Sequence, residues 1–210
     1  MLEGLLPAGV RAVEMFADPP EAVLHPDEQP LVAQAVEVRR REFTTGRHCA
    51  RLALGRLGLA PGPIGKDDGG APRWPAGVVG SITHCAGYRA AAVAWSRELG
   101  AVGIDAEPAD PLPSGVLPLV ARPAERDWLA GAPPGVAWDR VLFSAKESVY
   151  KTWFPLTGRW LDFLDAEVAL DPARGSFVAR ILVPGLGDLA GRFALRDGLV
   201  VTAIAWGLVG

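Results

Sequence analysis

A chain of 210 residues, half of them hydrophobic and 21% charged, can bury a substantial core and is too apolar to stay disordered. Its net charge of −3 argues against a general nucleic-acid binder or an anionic-membrane binder, so neither partner is expected. Cys49 and Cys85 form no CxxC pair or disulfide frame, and Glu3, Arg11 and Glu14 interrupt the apolar start that a signal peptide would need, so a cytoplasmic protein with reduced thiols is expected.

Residues 1–26 read as irregular, with a break at Pro19-Pro20. From Asp27 to Leu59 apolar residues return at helical spacing: Leu31, Ala35 and Val38, then Cys49, Leu52, Ala53 and Leu57. Thr44-Thr45-Gly46 marks a break or a cap between two helices. Pro61 to Pro75, with Lys66, Asp67 and Asp68 at its centre, has the Gly and Pro content of an exposed loop. Val78 to Thr83, Arg89 to Trp95 and Ala101 to Asp105 are short apolar runs bounded by turn residues, and predict strands. Proline-rich chain from Pro108 to Pro118 leads to a short helix at Ala124 to Leu129. A longer helix spans Trp138 to Phe154, with an apolar stripe of Val141, Leu142, Ala145, Val149 and Trp153 and a stop at Pro155. Strands follow at Glu167 to Leu170 and Ser176 to Val183, then a hairpin around Arg196-Asp197-Gly198. Helix-then-strands occurs twice, which predicts an α+β fold of two similar halves, 1–101 and 102–210, with a cleft at their junction.

Gly103-Ile104-Asp105-Ala106-Glu107 is the most informative segment. Residues two apart on a strand share a face, so Asp105 and Glu107 can grip one ion together. Oxygen ligands without a nearby His or Cys favour Mg²⁺ over Zn²⁺. Taken alone, an Asp-x-Glu pair is a weak signal, and two solvated loop carboxylates are the more ordinary reading. On the second helix Glu147 and Lys151 lie at i and i+4 among Phe143, Tyr150, Trp153, Phe154 and Trp160, a setting for a pocket lining more than for a surface ion pair. A third carboxylate with a lysine beside it suits a metal-bound diphosphate. Arg39, Arg40, Arg41, Arg47 and Arg51 form a basic cluster, and arginine forks match phosphate oxygens; a solvated basic face is the alternative. His84 ends a strand before the Gly87 turn, where an imidazole and the Thr83 backbone can meet a ligand.

Four segments in order resemble the 4′-phosphopantetheinyl transferase superfamily: RRREFTTGRHCAR (Arg39 to Arg51), RWPAGVVGSITHCAGYRAAA (Arg73 to Ala92), VGIDAEP (Val102 to Pro108) and FSAKESVYKTWFPLTGRWLDF (Phe143 to Phe163). The likeness is to the longer single-chain branch that activates siderophore, polyketide and peptide synthetases, and to its actinobacterial and enterobactin-synthetase-type members. It implies a pseudo-twofold α+β fold with coenzyme A in the cleft between two similar halves. The implied reaction moves 4′-phosphopantetheine from coenzyme A to a serine of an apo acyl or peptidyl carrier protein, releasing 3′,5′-ADP. By motif position, Asp105, Glu107 and Glu147 are the implied Mg²⁺ ligands, with Asp105, Glu147 and Lys151 as catalytic groups. Arg39 and Arg47 are implied at the nucleotide phosphates, Arg40 replacing Arg39 if the register shifts by one. His84 is implied at the 3′-phosphate with Thr83 beside it. Lys66 and the loop through Gly69 are implied along the adenine or ribose, and Leu161 at the pantetheine channel. Arg122, Arg126 and Leu117 to Val120 are candidates for the carrier-docking rim. A monomer is expected. A Mg²⁺-dependent nucleotide-diphosphate phosphohydrolase and a non-catalytic coenzyme-A-binding protein are the competing readings.

Overall fold

The computed structural model describes residues 1–67 and 69–208; Asp68 and residues 209–210 lie outside it. In the first half a three-stranded antiparallel sheet has the order β1-β5-β4, from β1 (Arg11–Met15), β4 (Val78–Cys85) and β5 (Tyr88–Trp95). The strand β1 falls in the stretch read as irregular, because its few apolar residues sit between charged ones and pair with β5, distant in the sequence (Arg11 opposite Val93, Met15 opposite Arg89). The 20-residue helix α1 (Glu37–Arg56) packs on this sheet. It runs unbroken through Thr44-Thr45-Gly46, correcting the expected break. Thr44 Oγ1 donates to the Arg40 carbonyl at 2.7 Å, Thr45 Oγ1 donates to Asp18 at 2.7 Å, and a Cβ at Gly46 would stand 3.1 Å from Ile82. Those residues mark side-chain contacts and a close helix–strand approach. A two-stranded ribbon, β2 (Gly65–Lys66) with β3 (Pro72–Arg73), forms within the segment read as loop.

The second half is a five-stranded antiparallel sheet of order β6-β10-β9-β8-β7: β6 (Leu99–Pro108), β7 (Ala166–Asp171), β8 (Ser176–Ile181), β9 (Leu189–Arg196) and β10 (Leu199–Leu208). A boundary drawn at residue 101 therefore cuts into β6. The short helices α2 (Leu117–Val120) and α3 (Pro123–Ala130) precede the 20-residue helix α4 (Trp138–Thr157). Pro155 sits inside the last turn of α4 without ending it. The stop comes at Gly158, whose left-handed φ of 63° turns its N–H onto the Phe154 carbonyl at 2.8 Å.

Strand alternation sorts the side chains into three cores. On β5, Ala91 and Val93 pack with α1, while Ala90, Ala92 and Ala94 join Val102, Ile104 and Ala106 of β6 and Val201 and Ala203 of β10 in a core common to both halves. The third core lies between α4 and its sheet, around Val141, Val149, Trp153, Phe177 and Ile204. No backbone ladder joins β4 to β6 among the described residues. Ser81 and Thr83 hydroxyls on β4 instead accept the β6 N–H groups of Ile104 (3.2 Å) and Ala106 (3.0 Å). These two bonds span the seam between the halves.

Candidate active site

Because Val102, Ile104 and Ala106 turn into the common core, the alternate residues Gly103, Asp105 and Glu107 face the other way, toward α4 and a cavity. Gly103 lets the helix come close: a Cβ there would lie 2.2 Å from both the Ser148 carbonyl and the Thr152 hydroxyl. That contact carries Ser144, Glu147 and Lys151 over the strand. Asp105, only 4% exposed, accepts Lys151 Nζ at 2.7 Å and Thr83 Oγ1 at 3.3 Å on Oδ1, and Ser144 Oγ at 2.7 Å on Oδ2. Ser144 is supported by Thr202, whose hydroxyl lies 3.0 Å away. Glu107 accepts Arg140 Nη1 at 2.9 Å, and the same guanidinium is held by the carbonyls of Asp110 and Pro111. Burial, and then the neighbouring charge of Asp105, pushes Glu107 up to about 7 despite Arg140. Burial also raises Glu147, with Lys151 offsetting it. The Glu147 carboxylate takes no hydrogen bond from a described residue.

The same cavity, of about 730 Å³, extends to a basic end lined by Arg39, Arg47, Lys66 and His84, with Gly69 and Glu42 on its wall. Cations crowd here. Burial and the charges of Arg39 and Arg47 lower Lys66. Burial, then Arg39, Lys151, Arg89 and Lys66, pushes His84 down to about 3, so its imidazole is neutral at pH 7. Arg47 is buried and lowered to about 10, chiefly by burial. It donates Nε to the Ile64 carbonyl at 2.9 Å and Nη2 to the Gly65 carbonyl at 3.3 Å, and stacks on Phe43. One cavity thus holds carboxylates at one end and mutually repelling cations at the other, the polarity that suits a polyphosphate with a hard cation.

Residues 27–94 match the model of the 4′-phosphopantetheinyl transferase N-terminal domain, and residues 101–197 that of the 4′-phosphopantetheinyl transferase superfamily. Over 98% of its length the chain is 54% identical to 4′-phosphopantetheinyl transferase Svp of Streptomyces mobaraensis, covering 89% of that protein. It is 48% identical to the transferase Npt of Nocardia iowensis (98% of this chain, 100% of that one) and 49% identical to PptT of Mycobacterium tuberculosis (97% of each). The chain belongs to the 4′-phosphopantetheinyl transferase superfamily.

In this transferase Asp105, Glu107, Glu147, Lys151, Arg39, Arg47, Lys66, Gly69, Thr83 and His84 all line the one cavity. Arg39 lines it and Arg40 does not. Thr83 shares the strand with His84, but its hydroxyl is committed to Asp105 and the Ala106 N–H. Leu161 is buried in a separate pocket of about 160 Å³, which shares Glu147 and Tyr150 with the larger one. Among the described residues no group of three acid, His or Cys side chains is gathered closely enough to hold a metal ion, and Lys151 rests on Asp105 while Arg140 rests on Glu107. Of the docking candidates, Arg122 is engaged by Glu167 at 3.4 Å and by the Leu164 carbonyl, whereas Arg126 and Leu119 are exposed.

Sequence reasoning missed Arg140, Ser144, Thr202, Glu42 and Lys146. Arg140 precedes Glu147 by seven residues, two helical turns on the same face, which is a signal of a shared site. Lys146 is part of the motif but points away from the cavity. Only 1% of its side chain is exposed, and it donates to Glu125 (2.7 Å) and to the carbonyls of Phe163 and Ala166. Thr202 lies outside the four motif segments, and Glu42, although inside the first, carries no local signal of its contact with His84.

Proposed function

We infer that the cavity binds coenzyme A with its diphosphate between the acidic and basic ends, and that the acceptor is a serine of an apo acyl or peptidyl carrier protein. The chain is a 4′-phosphopantetheinyl transferase; the observation that supports this placement is the single cavity in which Asp105, Glu107, Glu147 and Lys151 meet Arg39, Lys66 and His84. In the reaction the serine hydroxyl attacks the phosphorus bearing the pantetheine arm, a new P–O bond forms, and the bond to 3′,5′-ADP breaks. Positioning and electrostatic stabilisation carry most of such a displacement. Lys151 is placed to neutralise charge on the phosphate that leaves. Glu147, held above its ordinary range by burial and free of a described hydrogen-bond partner, is placed to take the serine proton. Arg39 and His84 are assigned to the 3′-phosphate, with Arg47 and Lys66 along the nucleotide.

The donor set of three carboxylates, with no His or Cys among them, fits a hard divalent cation, and Asp105, Glu107 and Glu147 would hold Mg²⁺. When bound, it supplies Lewis-acid stabilisation of the diphosphate charge. Both buried thiols are pushed up to about 12 by burial, and no described helix is long and apolar enough to cross a membrane. The raised thiols support unreactive cysteines, and we place the enzyme's action in the cytoplasm. One chain supplies both ends of the cavity, which supports a monomer.

The test is intact-protein mass spectrometry of several apo-carriers incubated with coenzyme A and the enzyme. The carrier is expected to gain one phosphopantetheine, and EDTA or Asp105→Asn is expected to lower the rate about 10²-fold or more with the fold intact. Release of 3′,5′-ADP with every carrier unlabelled would instead mark a hydrolase, and retained activity in EDTA would remove the metal assignment.

A further inference from the structure

At the basic end three groups close on one another. Arg39 Nη1 lies against His84 Nε2, closer than to Nδ1 at 3.4 Å, and also reaches Glu42 Oε2 at 3.4 Å. Glu42 Oε2 in turn stands 3.3 Å from His84 Nδ1. A guanidinium has donors only, so Nε2 must be the acceptor, and the single ring proton of the neutral imidazole sits on Nδ1, facing Glu42. The triangle is self-satisfied: a cation, a neutral base and a carboxylate, with Glu42 only 17% exposed.

Such an imidazole cannot serve a phosphate. Its one available nitrogen is an acceptor, and a phosphate dianion offers only acceptors. For His84 to donate from Nε2, Arg39 must turn its N–H toward the phosphate and Nε2 must gain a proton. The other charged groups near the ring are Lys66 from β2, Arg89 from β5 and Lys151 from α4, all cationic; burial first, and then Arg39 with these three, keeps it neutral while no anion is present. Glu42 is the carboxylate beside Nδ1, so it becomes the counter-ion of an imidazolium when one forms. A dianionic phosphate entering the triangle reverses the sign of the local field and makes that imidazolium favourable.

We propose that binding of the ligand's 3′-phosphate is coupled to uptake of one proton at His84 Nε2, with Glu42 as the positioning residue that holds Nδ1–H and stabilises the charged ring. This rests on the assignment of Arg39 and His84 to the 3′-phosphate. The consequence is a site that prefers a 3′-phosphate to a 3′-hydroxyl by more than contact alone, since only the former recruits the extra proton.

The chain has three histidines, His25, His48 and His84, so ring ¹⁵N–¹H correlation spectra of the histidine-labelled protein are readable residue by residue. The probe is 3′,5′-ADP, with 5′-AMP as the analogue lacking the 3′-phosphate, both without metal. Between pH 7 and 8.5 the free protein is expected to show His84 as the neutral Nδ1–H tautomer. Saturating 3′,5′-ADP is expected to convert it to imidazolium, while His25 and His48 stay unchanged. Over the range where only the complex is protonated, affinity is expected to fall about tenfold per pH unit, and 5′-AMP is expected to show no such slope. Glu42→Gln is expected to move the bound-state titration of His84 to lower pH, an effect that a purely structural role for Glu42 would not produce. Tight binding of 3′,5′-ADP with His84 still neutral would overturn the proton coupling and leave the pocket assignment standing. If 3′,5′-ADP perturbed no residue of this end of the cavity, the pocket assignment itself would fall and take the coupling with it.

Discussion

Glu107 shows how a single residue couples the site to stability. Burial and the adjacent Asp105 raise its proton affinity to about 7, and the Arg140 contact only partly offsets them. In the unfolded chain it titrates near the ordinary carboxylate value, so between that value and 7 the folded state holds more protons than the unfolded one. Stability from this group is therefore greatest at the acidic side of the window and declines as pH rises through 7. In chelator-treated protein the Glu107→Gln variant is expected to lack this decline, so its Tm relative to the parent should rise from pH 5 to pH 8; parallel Tm profiles would count against it. The residues around Asp105 follow the same economy of charge. A buried carboxylate needs its lone pairs met, and Lys151, Thr83 and Ser144 meet them.

At the scale of elements, the distance between α4 and β6 decides whether Glu147 and Lys151 reach the strand carboxylates. Gly103 sets that distance. Gly103→Ala would drive a methyl into the Ser148 carbonyl, so a loss of about 1–3 kcal/mol is expected from the overpacking, read as a lower denaturant midpoint. Carrier labelling should fall with it even at temperatures where the variant stays folded. The other end of the helix's support is the buried Lys146–Glu125 pair. Glu125 also receives the backbone N–H groups of Arg122 and Val168, so the pair ties α3, α4 and the start of β7 together. Lys146→Met leaves that carboxylate buried without its cation and is expected to cost about 3–5 kcal/mol. Adding Glu125→Gln to it should recover part of the loss, and a double variant no more stable than the single one would refute the pairing.

The whole molecule is held at its seam by a common core and by three side-chain bonds from β4 to β6. Because Thr83 accepts the Ala106 N–H and donates to Asp105, it links the junction of the halves to the reaction centre. Thr83→Val keeps the shape and removes both bonds, leaving a buried N–H unmet at a cost of about 1–3 kcal/mol. Ser81→Ala removes the equivalent bond at Ile104 without touching Asp105. Both variants are expected to lose similar stability in urea, but only Thr83→Val should also lower the transfer rate; equal effects on rate would detach Thr83 from the chemistry.

The α+β class, the long helix α4, the helical character of the α1 region, the central strands and every member of the carboxylate–lysine motif were legible in the residue order, because periodicity and local spacing are properties of neighbours along the chain. Asp105 and Glu107 share a strand face, and Glu147 and Lys151 share a helix face, whatever the fold around them. Three features were not legible: the strand β1, the continuity of α1 across Gly46, and the ribbon around Lys66. Each depends on a partner that approaches from elsewhere in the chain. The same holds inside the site. That Arg140 holds Glu107, that Lys151 rests on Asp105, and that Glu42 closes a triangle with Arg39 and His84 follows only from packing that brings distant segments within a few ångströms. Ionic and hydrogen-bonding partners are chosen by distance in space, and no local pattern encodes them.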